Sequence, residues 1–126
     1  MENSSNFFTI EAETLTALAH PSRLEILELL RDGERCVCHI QAVLDQRQAY
    51  VSQHLNILRQ AGLVINRKEG KRVYYQISDP NILEVIDSLK IFLRSQKRRQ
   101  IRFPMETLSI SPRKPCNCPQ CASLPA

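Results

Sequence analysis

The sequence predicts a mainly α fold with one small β-hairpin, in the order of a winged helix-turn-helix. An amphipathic helix near the middle of the chain ends at Gly62, and two short β-type runs joined by a basic connection follow directly. In addition, a wide apolar stripe on the last predicted helix indicates a homodimer that packs through its terminal helices.

Two helices are expected before the helix-turn-helix. Apolar residues between Phe7 and Leu18 suggest the first. Pro21 is well tolerated at the first position of a helix, and residues 22–30, which follow it, are apolar on most sides. This second helix therefore belongs in the core, and Asp32-Gly33 ends it.

The helix-turn-helix is predicted as a first helix over residues 36–44, a turn over 45–47 and a recognition helix over 48–61. Val51, Leu55 and Leu58 form one apolar stripe at helical spacing. The opposite face presents amides and hydroxyls without an acid, which suits a DNA major groove. Taken alone, the stretch also fits an ordinary amphipathic helix. The candidate DNA contacts on this face are Gln48, Ala49, Tyr50, Ser52 and Gln53.

A hairpin is predicted over residues 63–78, with strands at 63–67 and 73–78 and Glu69-Gly70 at its tip. The region of the tip carries four cations and only one acid, so the hairpin can lie along DNA phosphates. A solvated hairpin is the alternative if this segment is considered alone. The candidate phosphate contacts are Arg67, Lys68, Lys71 and Arg72.

Asp79-Pro80 provides a capping carboxylate and a proline at the start of the last helix. The apolar stripe that follows is wider than one small domain needs to cover. A helix packed on its twin across a two-fold axis explains this width, whereas a monomeric core helix is the alternative. The stripe consists of Ile82, Val85, Ile86, Leu89, Phe92 and Leu93.

The length of 126 residues favours one folded domain, over residues 7–93, followed by a tail over 94–126. Residues 94–114 hold seven Lys or Arg and one acid, whereas residues 1–93 hold ten basic and twelve acidic side chains. The prolines in the tail argue against a continued helix. We expect a cytoplasmic protein, since neither a secretory signal nor a membrane-spanning run is visible. Nor is any catalytic arrangement visible, so we do not expect an enzyme.

Five cysteines in a cytosolic chain point to metal or redox chemistry rather than to a disulfide framework. Cys36 and Cys38 form a C-x-C at the start of the predicted helix-turn-helix. Residues two apart in a regular α-helix point about 200° from each other, so both sulfurs meet one ion only where the helix has not begun or unwinds. The alternative is a pair of small buried apolar side chains. A second cluster, near the end of the tail, consists of Cys116, Cys118 and Cys121.

Three segments in this order resemble the ArsR/SmtB family of bacterial metal-responsive repressors, over roughly residues 12–93. They are the opening AHPSRLEIL at residues 19–27, the recognition helix with LRQAGLV at 58–64, and the wing RKEGKRVYY at 67–75. The resemblance implies a DNA-binding repressor that acts as a homodimer on double-stranded operator DNA.

Cys36-Val37-Cys38 resembles the thiolate pair of the arsenic- and cadmium-responsive members. The resemblance implies a third sulfur from elsewhere, and here only the tail cysteines can supply it. Three thiolates suit As(III) or Sb(III) as the inducer, whereas four would suit Cd(II), Pb(II) or Zn(II). His39 follows the motif where an acid is usual, and the last helix lacks the histidines of the zinc sensors. A thiol-based redox or persulfide sensor on the same scaffold, and a structural zinc site in the tail, remain open.

Overall fold

A computed structural model describes residues 4–96, with the side chains from Asn6 onward. The predicted tail therefore lies almost entirely outside the described residues, together with its three cysteines. Residues 4–96 form five helices and a three-stranded sheet, which confirms the mainly α class with a small hairpin. The elements are α1 Ser4–Leu18, α2 Pro21–Leu29, β1 Arg35–Cys36, α3 Val37–Leu44, α4 Gln48–Gln60, β2 Val64–Glu69, β3 Arg72–Ile77 and α5 Asn81–Ser95.

Local signals in the sequence set the helix ends. Pro21 opens α2, as predicted, and the Nδ1 atom of His20 accepts a hydrogen bond from the Ser22 amide.

At the end of α4, Gly62 has a φ of 77°, and the Leu63 amide donates to the Leu58 carbonyl at 3.0 Å. This is a Schellman ending, which requires the left-handed conformation that glycine adopts without strain. At the start of α5, Pro80 is the N-cap residue, and the Asp79 carboxylate accepts from the Asn81 amide at 2.9 Å.

The hairpin pairs Val64 with Ile77 at one end and Glu69 with Arg72 at the other. Only Gly70 and Lys71 lie between the strands, and Gly70 has a φ of 60°. A glycine with positive φ at the first of two loop residues suits the type II′ turn of a tight hairpin.

The hairpin strands, predicted at 63–67 and 73–78 with Glu69-Gly70 at the tip, reach further toward the tip, so that the turn residues are Gly70 and Lys71. The start of one helix was also predicted wrongly. The sequence suggested that the first helix of the helix-turn-helix begins at Cys36, but Cys36 is extended, with φ −75° and ψ 154°, and α3 begins at Val37. The reason is a third strand that was not predicted. Arg35 and Cys36 pair antiparallel with Tyr75 and Tyr74, so β1 lies beside β3 and the sheet order is β1-β3-β2.

The core lies between α2, α3 and α4, with α5 closing one side. The predicted stripe of α4 is fully buried, since Val51, Leu55 and Leu58 are each 0% exposed. Ile26 and Leu27 of α2 are also 0% exposed, which confirms that α2 is a core helix. Besides this stripe α4 buries only His54, so its other side remains open to solvent.

Helices α1 and α5 both leave large apolar side chains exposed. On α5, Ile86 is buried, but much of the predicted stripe faces solvent. A single copy of residues 4–96 therefore does not cover this apolar surface, as expected for chains that associate through these helices. The exposed side chains are Phe7, Phe8, Ile10 and Leu15 on α1 and Val85, Leu89, Ile91 and Phe92 on α5.

An ion-pair network fixes α5 to the end of α2. The Arg31 guanidinium donates to Asp87 at 2.7 and 3.1 Å and to Glu28 at 3.0 and 3.1 Å, and Lys90 also pairs with Glu28. Burial alone would raise the pKa of Glu28, but the hydrogen bonds from Arg31 and Lys90 outweigh it and hold the pKa below its ordinary value. The network thus orients the exposed apolar side of α5 relative to the core.

Candidate DNA-binding surface and thiol site

The first two turns of α4 present the predicted DNA-reading face. Gln48, Ala49, Ser52 and Gln53 are all exposed, while Val51 anchors the same turns in the core. Arg47 is the N-cap residue of α4 and makes no side-chain cap hydrogen bond. Exposed amide and hydroxyl groups beside a helix N-terminus match the donors and acceptors of base edges and phosphates.

Tyr50 is placed differently from its four neighbours on α4. It is half-buried, and its hydroxyl lies 2.8 Å from the Ser22 Oγ on α2. Its ring also meets the ring of His54 edge to face, with centroids 4.5 Å apart. Tyr50 therefore ties the recognition helix to α2 and lies at the margin of the exposed face.

Arg23 makes a second connection, which reaches α1. Its Nε donates to the Ala17 carbonyl at 2.6 Å and its Nη2 to the Thr16 carbonyl at 3.2 Å. Its Nη1 lies 3.3 Å from the Nδ1 atom of His54. The last carbonyls of α1 and the recognition helix are thus joined through one guanidinium. His20 and His54 also lie in this cluster, with ring centroids 4.3 Å apart.

Because two histidines are buried, we predict that the folded protein is less stable in mild acid. Burial, with the nearby charges of His20 and Arg23, lowers the pKa of His54, and burial with the charge of Arg35 lowers the pKa of His39. A lowered folded-state pKa means that the unfolded chain takes up protons first, below about pH 6.5. We expect the free energy of unfolding to fall as the pH drops from 7.5 to 5.5 in urea titrations. His54→Gln should flatten this dependence; an unchanged pH profile would contradict the assignment.

The four wing cations fall into two groups. Lys68 and Lys71 are exposed, and no hydrogen bond or ion pair within residues 4–96 engages their ammonium groups. Arg67 instead donates to Glu34 at 2.6 and 2.7 Å and to Glu69 at 2.7 Å, with its guanidinium 4.6 Å from the centre of the Tyr74 ring. The fourth cation, Arg72, is half-buried and turns toward Cys38, with Nη1 3.8 Å from Sγ.

Cys36 and Cys38 lie together where β1 ends and α3 begins. Their sulfurs form a disulfide, and their Cα atoms are 5.3 Å apart. Cys36 is the N-cap of α3, 0% exposed, and its Sγ accepts a hydrogen bond from the His39 amide at 3.3 Å. The two sulfurs can meet because Cys36 is extended, which is the condition that the sequence argument set for a shared ion.

The described residues fit a thiophilic ion only in part. Cys36 and Cys38 supply two sulfurs that are held together, and thiolates select soft ions. Within residues 4–96 no group of three or more His, Cys, Asp or Glu side chains is positioned to hold a metal ion. A third sulfur would have to come from Cys116, Cys118 or Cys121, which lie outside the described residues.

A cavity of about 310 Å³ opens between α3, the start of α4 and the wing. The cysteine pair, the recognition helix and the wing all contribute side chains to its lining. These side chains include two cations and no acid. Sequence reasoning missed this cavity and the contact between Arg72 and Cys38, because β1 places Cys36 and Cys38 against the wing only after the chain has folded. The lining residues are Cys36, Val37, Cys38, Gln41, Gln48, Ser52, Lys71, Arg72, Val73 and Tyr75.

Comparison with known proteins agrees with this architecture. The family model for bacterial regulatory proteins of the arsR family matches residues 20–66. A transcriptional regulator of the helix-turn-helix type from Methanocaldococcus jannaschii is 46% identical over 76 residues, which are 60% of this chain and 85% of that protein. The arsenical resistance operon repressor of Escherichia coli is 43% identical over 72 residues, covering 56% of this chain and 62% of the repressor. A cadmium resistance regulatory protein homologue from Staphylococcus aureus is 33% identical over 87 residues, 68% of this chain and 70% of that protein.

A solved structure shows the same fold in an assembled form. The homodimeric winged helix-turn-helix DNA-binding domain of a possible ArsR-family regulator from Mycobacterium bovis superposes with a TM-score of 0.70 at 27% identity. The match covers 82% of this chain and 95% of that domain. No helix within residues 4–96 is both long and apolar enough to cross a membrane. The winged helix-turn-helix, the recognition helix and the wing all agree with these relatives, and the chain belongs to the arsR family of bacterial regulatory proteins.

Proposed function

We propose that the protein is a homodimeric repressor that binds operator DNA in the cytoplasm and releases it when a thiophilic ion binds to its cysteines. One observation carries the proposal. The sulfurs of Cys36 and Cys38 meet at the start of the helix-turn-helix, and Cys38 lies 3.8 Å from Arg72 of the wing. A change at the sulfurs therefore acts directly on the elements that would hold DNA.

The DNA-reading role rests on the exposed polar face of α4. Gln48, Ala49, Ser52 and Gln53 would meet base edges and the adjacent phosphates, with Tyr50 beside them. The hydrogen bond between the Tyr50 hydroxyl and Ser22 Oγ joins α4 to α2 beside these positions. Within this proposal the four wing cations lie along the phosphates, as expected for contacts that position a protein without reading sequence.

The wing should contribute affinity without sequence preference. Lys68→Ala or Lys71→Ala should weaken binding to all DNA sequences alike and lower the salt slope by about 0.9 for each phosphate that is no longer neutralised, because fewer condensed counterions are then released. Anisotropy titrations at several salt concentrations measure this slope. Arg67→Ala is the comparison, since Arg67 already pairs with two carboxylates and should change the slope less. A changed base preference in the lysine variants would contradict the prediction.

The homodimer is supported by the exposed apolar sides of α1 and α5 and by the homodimeric relative. Leu89 is 47% exposed on α5, and a charge there would have to be buried in the interface. We expect Leu89→Glu to convert the dimer to a monomer at micromolar concentration in sedimentation velocity experiments. Glu84→Gln, an exposed change on the same helix, should leave the dimer intact. A Leu89→Glu variant that still sediments as a dimer would place the interface elsewhere.

The inducer is defined by the ligand chemistry. Reduced Cys36 and Cys38 would supply two thiolates, and Cys116, Cys118 or Cys121 the third, from the same or the partner chain. Three thiolates favour As(III) or Sb(III), whereas a fourth would favour Cd(II), Pb(II) or Zn(II). An operator-binding titration of the reduced protein against each of these five ions tests the assignment. Release by As(III) or Sb(III) at the lowest concentrations supports it, and the absence of release by any of them overturns it.

The disulfide favours a second function on the same scaffold. Because Cys36 and Cys38 are able to bond to each other, a thiol-based redox or persulfide sensor would use the same pair. The two functions differ in the state of the cysteines after treatment with the inducer. Mass spectrometry of the inducer-treated protein distinguishes a bound ion from an oxidised or sulfur-extended cysteine pair.

A further inference from the structure

The cavity beside the disulfide has the features of a reaction site for a small anionic thiol. Its lining contains the S–S bond between Cys36 and Cys38 and the side chains of Lys71 and Arg72, and it includes no carboxylate. Gln41, Gln48 and Ser52 add further hydrogen-bonding groups. We propose that a low-molecular-weight thiol bearing carboxylates binds in this cavity and forms a mixed disulfide with Cys38.

The geometry selects Cys38 as the sulfur that is attacked. Cys38 is half-buried and its Sγ is 3.8 Å from Arg72 Nη1, on the cationic side of the cavity, whereas Cys36 is fully buried. Access determines which sulfur of a disulfide an incoming thiolate reaches. Cys36 is the better leaving group, because its sulfur sits at the N-cap of α3 and already accepts the His39 amide.

The step is a thiol–disulfide exchange. The sulfur of the incoming thiolate bonds to Cys38 Sγ while the bond between Cys36 and Cys38 breaks, and its electron pair remains on Cys36 as a thiolate. One disulfide is replaced by another, so the reaction needs no further oxidant or reductant. Two cations without a neighbouring acid in the lining would hold the carboxylates of the thiol and raise its local concentration.

The adduct would interfere with DNA binding, a consequence that rests on the proposed function. The thiol would occupy the space in front of Gln48 and Ser52 at the start of the recognition helix. Its carboxylates would also neutralise Lys71 and Arg72, which face phosphates in the proposed complex. The oxidised protein would thus respond to the small-thiol pool at a site shared with the inducer.

The test measures exchange rates on the oxidised full-length chain with Cys116, Cys118 and Cys121 replaced by serine. Reduced glutathione, which carries two carboxylates, is compared with cysteamine, which carries none, by acid quenching, intact mass and peptide mapping. We expect the glutathione adduct on Cys38. The ratio of the glutathione rate to the cysteamine rate should fall roughly tenfold in Arg72→Gln and in Lys71→Gln, since steering by charge has effects of this size.

Comparing ratios cancels the intrinsic reactivity of each thiol. Arg59→Gln removes an equal charge from the exposed end of α4, away from the cavity, and should leave the ratio unchanged. Lys71 is exposed in the two-residue turn, so its variant keeps the test valid if Arg72→Gln does not fold. An adduct on Cys36, or equal ratios in all variants, would overturn the proposal. An adduct on Cys38 that leaves operator affinity unchanged would overturn only its effect on DNA.

Discussion

Cys36→Ser and Cys38→Ser are each expected to leave operator binding intact and to abolish release by As(III). Serine keeps the structural part of the site, because its hydroxyl can replace the Cys36 sulfur as the N-cap acceptor of the His39 amide. It removes the thiolate, which is the part that a soft ion needs. Coupling between an inducer and an operator is typically about 1–3 kcal/mol, so a five- to 150-fold change in affinity should disappear.

The measurement is an anisotropy titration of labelled operator DNA with the reduced protein, with and without As(III). Cys36→Ala serves as a structural control, since it loses both the thiol and the cap and should also cost about 1 kcal/mol of stability. Single replacements of Cys116, Cys118 or Cys121 should only blunt release, because the remaining tail thiols can substitute, while the triple replacement should lower sensitivity sharply. Wild-type release by the double variant of Cys36 and Cys38 would place the sensing site elsewhere.

The parts of the fold that depend on local periodicity were predicted from the sequence. The spacing of Val51, Leu55 and Leu58 indicated a half-buried recognition helix, and Gly62 indicated its end. The amphipathic helix and its glycine ending both depend on residues that are close together in the chain, so they can be predicted from one sequence. The exposed positions of Gln48 and Gln53 followed from the same periodicity.

The arrangement around the thiols depends on contacts between residues far apart in sequence. Arg67 pairs with Glu34 across 33 positions, and Arg72 meets Cys38 across 34. Both contacts exist because β1 adds to the edge of the hairpin, and a strand of two residues carries too little periodic pattern to be predicted. The wing was therefore predicted as one set of four cations, although the fold leaves Lys68 and Lys71 exposed and engages Arg67 and Arg72 in contacts with other side chains.

The largest effect on operator recognition is expected from the amides on α4. Gln48→Ala and Gln53→Ala should each lose about 1–3 kcal/mol of specific binding if the amide makes a bidentate contact with an adenine. The loss should appear only on the operator, because a missing base contact does not change the phosphate attraction that dominates binding to unrelated DNA. Both side chains are exposed, and alanine is at least as good a helix former as glutamine, so the fold should be unaffected.

Competition between operator and scrambled duplexes at one fixed salt concentration measures this specific term. Gln60→Ala is the matched control, since Gln60 is exposed on the same helix but lies at its far end, beyond the two turns that face the proposed groove. It should retain wild-type discrimination. If Gln48→Ala and Gln53→Ala both discriminate as well as Gln60→Ala, the exposed face of α4 does not read bases. The polar side chains there would then serve solubility, and specificity would have to come from the shape of the DNA instead.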